Sequence, residues 1–294
     1  MAEVMFNRVA LIGIGLIGSS LARRMKRDGL AGHIAVNART QTSLDTSMKL
    51  GFADSVSLDP CEVVKDADLV VVCSPVGTYA AIGEIIKGSL KKGAILSDVG
   101  SVKEAVVRDL GASLPDGVHL VPAHPVAGTE FSGPESGFAE LFEQRWCILT
   151  PPTGTDIAAT QKMRALWERC GSNVEVMEAH HHDQVMAMTS HLPHLISFTI
   201  VGTATDLEKT LQNEVIKFSA GGFRDFTRIA ASDPTMWRDI FLNNKEAVLE
   251  ILQRFTEDLT ALQRAIRWGE GDVLFDKFTR TRAIRRGVID AKQA

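Results

Sequence analysis

A glycine-rich turn between an apolar strand pattern and a helical pattern most constrains the fold of this chain. The turn has Gly-x-Gly-x-x-Gly spacing and directly follows the apolar residues 9–12. In such a turn, one glycine permits the bend, one lets the main chain approach a pyrophosphate, and one allows close packing of helix on strand. The amide groups that open the helix would face the phosphates. The sequence therefore predicts a dinucleotide-binding loop formed by Gly13, Gly15, Leu16, Ile17 and Gly18.

Short apolar strand patterns alternate with helical patterns over the first part of the chain. The strand patterns cover residues 9–12, 34–36, 69–73, 94–96, 119–121 and 174–176. Continuously apolar strands that are separated by helices favour a parallel sheet covered on both faces. After Glu178 the pattern is helical. We predict an α/β fold, with a Rossmann-type doubly wound parallel sheet in residues 1–177 and an all-helical domain in residues 178–294.

An apolar stripe after residues 233–234 predicts one long helix. Apolar residues recur at spacings of three and four from Trp237 to Ile266, which marks one face of a helix. A helix of about 30 residues is about 45 Å long, more than a small helical domain can cover. A second copy of the chain would cover the remainder, so we predict a homodimer through the helical domain.

The residues after the second strand pattern distinguish between two cofactors. NAD sites place a carboxylate there against the ribose 2′-hydroxyl, whereas NADP sites place an arginine near the 2′-phosphate. Here Arg39 and Thr40 follow the strand, and the first acidic residue is Asp45. We predict NADP as the cofactor, with NAD as the alternative. Ser74 and Pro75, after the third strand pattern, complete the predicted cofactor-binding set.

Composition and charge argue against several classes of protein. The 294 residues include 32 Lys and Arg against 36 Asp and Glu, a mildly acidic balance that disfavours a nucleic-acid partner. No uncharged apolar run approaches the roughly 18–20 residues of a membrane span, so no membrane association is expected. The four cysteines lack Cys-x-x-Cys spacing, which is typical of buried thiols in a cytoplasmic protein.

Histidines are concentrated between residues 180 and 194. No cysteine or closed ligand set accompanies them, so no metal site is predicted. The run at residues 180–182 is interpreted as the solvated start of a helix. Ser190 and His194 would share one face of that helix, which Pro193 would kink or locally open.

Two further groups of polar residues are candidates for chemistry. Ser101 and His124 follow predicted strands, and open α/β sheets bind ligands at the carboxyl ends of their strands. His124 would either accept a proton as a hydroxyl group is oxidised or cap a turn. Arg224, Asp225 and Arg228 would form a surface ion pair or bind a dicarboxylate.

The ordered set of motifs resembles one family. The motifs are G-x-G-x-x-G, D-V-G-S-V-K, H-P-V-A-G-T-E, S-H-L-P-H and G-F-R-D-F-T-R-I-A, and they extend over nearly the whole chain. Their sequences and order resemble the prephenate/arogenate (cyclohexadienyl) dehydrogenases of tyrosine biosynthesis. That resemblance implies a dinucleotide-binding domain and a helical domain through which two chains interlock.

The resemblance also implies a reaction and roles for particular residues. Prephenate or arogenate would be oxidised and decarboxylated to 4-hydroxyphenylpyruvate or tyrosine, with hydride transfer to NADP or NAD. His124 would be the catalytic histidine, and Ser101 would orient it and the substrate hydroxyl. Arg228 would bind a substrate carboxylate. The substrate-binding residues implied in addition are Thr129, Glu130, Ser190, His194, Asp225 and Trp237.

Regulation and two alternative functions complete the expectations. Too little chain follows the long helix for a regulatory module of about 70 residues, so tyrosine would inhibit at the active site. One alternative is a 3-hydroxyacid-type NAD(P)-dependent dehydrogenase, for which no convincing catalytic lysine is found. Another is a catalytically silent NADP-binding dimeric sensor, against which Ser101, His124 and Arg228 argue.

Overall fold

A computed structural model describes residues 4–129, 131–205, 214, 217 and 221–290 of the chain. The chain forms two compact units, Met1–Ala247 and Val248–Ala294. The predicted domain boundary after residue 177 stays a prediction.

The first unit contains a six-stranded sheet in the order β3-β2-β1-β4-β5-β6, with all neighbouring strands parallel. The strands are β1 (Phe6–Ile12), β2 (Ala31–Asn37), β3 (Ser55–Ser57), β4 (Leu69–Val72), β5 (Ile95–Asp98) and β6 (His119–Leu120). The order reverses between β1 and β4, which opens a crevice at their carboxyl ends. The predicted doubly wound parallel sheet is confirmed. Strand β3 has no apolar run and was not predicted.

Helices cover both faces of this sheet. They are α1 (Leu16–Arg27), α2 (Gln41–Lys49), α3 (Pro60–Val64), α4 (Tyr79–Ile86), α5 (Lys103–Gly111) and α6 (Ile157–Arg169). Side chains of β1 alternate between two buried clusters: Val9 and Leu11 pack in one, Ala10 and Ile12 in the other. A strand with apolar residues on both faces therefore has a helical layer on each side.

A second, smaller sheet follows the first. It consists of β7 (Ala123–Pro125), β8 (Trp146–Leu149) and β9 (Asn173–Val176), with β7 and β8 antiparallel. The chain leaves the first sheet after Leu120, and His124 pairs with Ile148 in the new sheet. The sequence predicted one strand at residues 119–121 before His124 and did not predict β7, which contains His124. Strand β7 is too short to show a pattern of its own.

The rest of the first unit is helical in its described residues. The helices are α7 (Ala179–Met186), α8 (Leu192–Thr205), α9 (Gly221–Thr227) and α10 (Pro234–Asn243). A π-helical turn at Ala187–His191 separates α7 from α8. Pro193 has no N–H group for the regular helical hydrogen bond, which fits a local opening just before it. Among the described residues, the stretch Ala179–Ala204 is long and apolar enough to cross a membrane, a test that core helices of soluble proteins also meet.

The predicted single helix through Trp237 and Ile266 is wrong. Helix α10 ends at Asn243, and α11 (Lys245–Trp268) begins after Asn244. The Asn244 side chain is buried, and its amide group donates to the Asp183 carbonyl oxygen at 2.9 Å. Asn244 has a φ of −111° and a ψ of 35°, outside helical geometry. The last described helix is α12 (Gly271–Asp290).

Candidate active site

The glycine turn leaves space at the crevice of the first sheet. Gly13 has a φ of +90°, and a Cβ atom there would lie 2.8 Å from the main-chain nitrogen of Ser74. A Cβ atom on Gly18 would lie 2.7 Å from the Gly13 carbonyl oxygen, so helix α1 packs directly on the turn. Gly15, in contrast, has no neighbour within 4 Å of a Cβ position and has no side-chain cap. Open space in front of free amide groups fits the pyrophosphate of a nicotinamide dinucleotide.

The other predicted cofactor-binding residues lie in the first turn of α1 or after the strands β2 and β4. Leu16 is buried and Ile17 is half-buried in the first turn of α1. Arg39 is exposed after β2, and the Thr40 side chain accepts the Ser43 N–H as the cap of α2. Ser74 and Pro75 follow β4, where Ser74 lies against Gly13.

His124 is held by a buried relay of side chains. Its Nδ1 lies 2.8 Å from Nε2 of His182, and His182 Nδ1 lies 2.7 Å from Oδ1 of Asp183. His124 is 8% exposed and His182 is fully buried. The interpretation of residue 182 as part of a solvated helix start is therefore wrong. The neighbouring His180 and His181 do point to solvent, because the helical period turns only one side of α7 inward.

Asp183 is fixed by the start of a different helix. Its two carboxylate oxygens accept the main-chain N–H groups of Lys103 at 2.7 Å and Glu104 at 2.9 Å. Val102, at the cap position of α5, offers no side-chain oxygen for these groups. A carboxylate at a helix N-terminus is favoured by the unpaired amide groups and the helix dipole. Asp183 therefore ties α7 to α5 beneath His124.

A buried ion pair supports the strand that carries His124. Lys103 Nζ lies 2.5 Å from Oδ2 of Asp98, and both side chains are 0% exposed. The Lys103 ammonium group also donates to the Ala123 carbonyl oxygen, and Asp98 Oδ1 accepts the Ala123 N–H. Burial raises the pKa of Asp98 and lowers the pKa of Lys103, while the contact between them opposes both shifts. The pair therefore fixes the main chain of Ala123, the residue before His124.

The helical segment brings aromatic and imidazole rings together. The His194 ring stacks on Trp237 with centroids 3.7 Å apart, and its Nδ1 lies 2.8 Å from the Ser190 carbonyl oxygen. Trp237 is buried and Ser190 is half-buried. Burial lowers the pKa of His194, an effect that the nearby charge of Arg228 reinforces. The predicted residues Ser190, His194, Trp237 and Arg228 therefore lie in one neighbourhood.

His191 joins the same region to the relay. Its Nδ1 lies 3.0 Å from the amide group of Asn244, and its ring is fully buried. Burial lowers the pKa of His191 to about 4, although Asp183 and the main chain of Ser101 oppose the shift. Ser101 itself is half-buried, just before α5. Neutral imidazoles therefore line this part of the site.

Arg228 and the remaining predicted residues that the structure describes have exposed side chains. Arg228 is exposed at the start of a 3₁₀ turn, Arg228–Ala231. Asp225 is exposed and accepts a hydrogen bond from Arg224 Nε at 3.2 Å. Thr129 is exposed, and its hydroxyl oxygen accepts the main-chain N–H two residues later. Glu130 lies outside the described residues.

Sequence reasoning missed four residues of this site: Asp98, Lys103, His182 and Asp183. Asp98 and Lys103 are the first and last residues of the motif that contains Ser101, but their pairing depends on a turn that the spacing does not reveal. Asp183 contacts Lys103 across 80 residues of sequence. The only signal was the apolar setting of Asp98, which is the last residue of strand β5. Among the described residues, no group of three or more potential ligands is arranged to hold a metal ion.

Two family models match the chain. Residues 21–176 match the nucleotide-binding domain of prephenate dehydrogenase, and residues 178–280 match the dimerization domain of prephenate dehydrogenase.

Similar proteins agree with these matches. Cyclohexadienyl dehydrogenase of Zymomonas mobilis is 40% identical over 280 residues, which cover 95% of each chain. The structure of prephenate dehydrogenase from Aquifex aeolicus with hydroxyphenyl propionate and NAD+ has a TM-score of 0.89 and 33% identity, covering 98% of this chain and 99% of that one. The structure of Synechocystis arogenate dehydrogenase has a TM-score of 0.79 and 25% identity, covering 95% of this chain and 98% of that one.

Proposed function

The chain belongs to the prephenate dehydrogenase family, and from that premise we propose how its site oxidises and decarboxylates prephenate or arogenate. The nicotinamide cofactor, when bound, accepts hydride from the ring carbon that carries the hydroxyl group. That hydroxyl becomes a carbonyl, and loss of CO₂ leaves the aromatic ring of 4-hydroxyphenylpyruvate or tyrosine. The observation that supports this most strongly is the placement of His124, which is buried in strand β7 with one ring nitrogen held by His182.

His124 acts as the acceptor for the substrate hydroxyl proton. Its Nδ1 is engaged by His182, so Nε2 is the nitrogen that faces the substrate. Burial lowers the pKa of His124 well below its ordinary value, and His182, Lys103 and His191 add to the effect. A neutral imidazole can accept a hydrogen bond and then a proton as the hydroxyl is oxidised. Ser101, before α5, orients that hydroxyl group.

Arg228 supplies the substrate carboxylate site, and its replacement tests the function directly. We expect purified protein to release CO₂ and reduced cofactor in equal amounts from prephenate or arogenate. In the Arg228→Ala variant, KM should rise by a factor of about 30 or more, because losing a charged partner of a desolvated carboxylate costs about 2–5 kcal/mol. Steady-state kinetics with each substrate measures both effects.

Arg224 provides the matched control for that experiment. It is exposed, lies one turn before Arg228, and contacts Asp225 rather than His194. Arg224→Ala should leave KM unchanged. A rise of less than about threefold in Arg228→Ala, with normal cofactor affinity, would place the carboxylate elsewhere. No turnover of either substrate by the unmodified protein would overturn the proposed function itself.

The preferred cofactor is NADP, and Arg39 is the reason. The carboxyl end of β2 carries Asn37, whose amide group donates to the carbonyl oxygens of Ser57 and Leu58. No carboxylate stands between residues 36 and 40 to accept a ribose 2′-hydroxyl or repel a 2′-phosphate. Arg39 is exposed there and makes no hydrogen bond or ion pair to any residue that the structure describes. Its guanidinium group is available to a phosphate.

The Arg39→Ala variant separates the two cofactors. We expect NADP to bind about ten- to a hundredfold more weakly, since a charge-assisted hydrogen bond contributes about 1.5–3 kcal/mol. NAD affinity should be almost unchanged. Calorimetric titration with both cofactors measures the difference, and Lys49→Ala, at the far end of α2, is the charge-matched control. Equal losses for both cofactors, or tighter NAD binding by the unmodified protein, would contradict the proposal.

The assembly is a homodimer formed through the helical part of the chain. Large apolar side chains of the second unit are exposed in a single chain: Leu249, Leu259, Ile266, Trp268, Val273, Phe275, Phe278 and Ile284. An exposed apolar set of this size is typical of an interface. Tyrosine, which shares the ring of the product, would compete for the same active site.

A further inference from the structure

We propose that the buried pair His182 and Asp183 is a positioning unit that fixes His124 in the tautomer with a free base at Nε2. This inference rests on the proposed function of His124 and extends it to two residues that do not touch the substrate. The three side chains form one line of hydrogen bonds, with lengths of 2.8 Å and 2.7 Å.

Asp183 determines the direction of every hydrogen bond in that line. Both of its oxygens accept main-chain N–H groups at the start of α5, so the side chain is an acceptor-only carboxylate. The Nδ1 atom of His182, 2.7 Å from Oδ1, must therefore carry a hydrogen. A neutral imidazole has only one N–H group, so Nε2 of His182 presents a lone pair.

The same logic passes from His182 to His124. A lone pair on His182 Nε2 at 2.8 Å requires a hydrogen on His124 Nδ1. The remaining nitrogen of His124, Nε2, is then unprotonated. An asparagine or leucine in place of His182 would not impose this choice. The relay thus sets the chemical state that a base requires before the substrate arrives.

The relay also provides a hydrogen-bond acceptor for the product of proton transfer. When the substrate O–H proton moves to His124 Nε2, the ring becomes a cation whose Nδ1–H group donates to His182. The charge of this cation is opposed by His182 itself, by the ammonium group of Lys103 on α5 and by the ring of His191 in the π-helical turn. The carboxylates that offset them are Asp98, paired with Lys103, and Asp183 behind His182. Asp183 therefore acts on His124 through one imidazole ring.

The first test observes the tautomer without any turnover. Protein labelled with ¹⁵N in histidine, free of ligands, is examined by two-dimensional NMR at neutral pH, with His124→Asn used to assign the signals. We expect Nε2 of His124 to give the signal of an unprotonated ring nitrogen and Nδ1 that of a protonated one. A proton on His124 Nε2 would overturn the proposal, even if the enzyme oxidises its substrate normally.

The second test removes the middle of the relay. In His182→Phe, we expect kcat to fall about 10- to 100-fold, by analogy with loss of the hydrogen-bond partner of a metal-binding histidine. KM for the substrate and Kd for the cofactor should not change, and the NMR signals of His124 should show both tautomers. His181→Phe, the same substitution one position earlier on the exposed side of α7, should change nothing.

The outcomes separate this proposal from the proposed function. Absence of turnover in the unmodified protein, with the expected tautomer present, would reject the function and leave the relay intact. Normal kcat in a folded His182→Phe variant would reject the relay and leave the function intact. If that variant does not fold, the spectrum of the unmodified protein still decides the tautomer.

Discussion

Replacement of His124 by asparagine is expected to lower kcat by about 10²–10⁴-fold, the contribution of a well-placed general base. Asparagine preserves a polar side chain next to His182 but cannot accept a full proton from the substrate hydroxyl. Cofactor affinity should be unchanged, because the glycine turn and Arg39 do not depend on this side chain. Steady-state kinetics and a cofactor titration on the same preparation measure both quantities.

The pH dependence of the unmodified enzyme reports the same group. His124 must be neutral to accept a proton, so activity falls as pH decreases through its pKa. Burial, His182, Lys103 and His191 all lower that pKa below the ordinary value of about 6.5. We therefore expect kcat/KM to hold below pH 6.5 and to decline only in more acidic solution.

His119→Asn is the control for that substitution. His119 is half-buried at the start of β6, five residues before His124, and takes no part in the relay. The His119→Asn variant should retain full activity. A His124→Asn variant with near-normal kcat would remove this residue from the mechanism, whatever its effect on KM.

Local patterns predicted the parts of this site that depend on neighbouring residues. The glycine turn revealed the first strand, the first helix and the crevice between β1 and β4, because each glycine meets a local requirement. The motifs around Ser101 and His124 were also found locally, because each follows a predicted strand. Arg39 was recognised by its position after a strand.

The parts that sequence reasoning missed are held by contacts between distant segments. Asp183 caps a helix that starts 80 residues earlier, and Asn244 interrupts a helical pattern to reach Asp183 and His191. No spacing rule connects such residues. His182 was misjudged because the inward side of α7 depends on where that helix begins and on what packs against it.

Breaking the buried ion pair between Asp98 and Lys103 is expected to lower the free energy of unfolding strongly. In Lys103→Met, the Asp98 carboxylate keeps the N–H groups of Gly100 and Ala123 but loses its cation. Removing one partner of a buried pair typically costs about 3–5 kcal/mol, because an uncompensated charge stays in the core. Methionine fills a similar volume, so the loss would reflect charge rather than a cavity.

Urea unfolding at pH 7 and a fixed protein concentration measures that free energy. Lys91→Met is the matched control, since Lys91 Nζ also lies 2.5 Å from a carboxylate oxygen, that of Asp68, but its side chain is 47% exposed. Loss of this exposed pair should lower the free energy of unfolding by no more than about 1 kcal/mol. Adding Asp98→Asn to Lys103→Met should recover part of the stability, because the unpaired charge is then absent. Equal effects of Lys103→Met and Lys91→Met would show that the buried pair contributes no more to stability than a surface contact. The fixed position of Ala123, next to His124, would then need another cause.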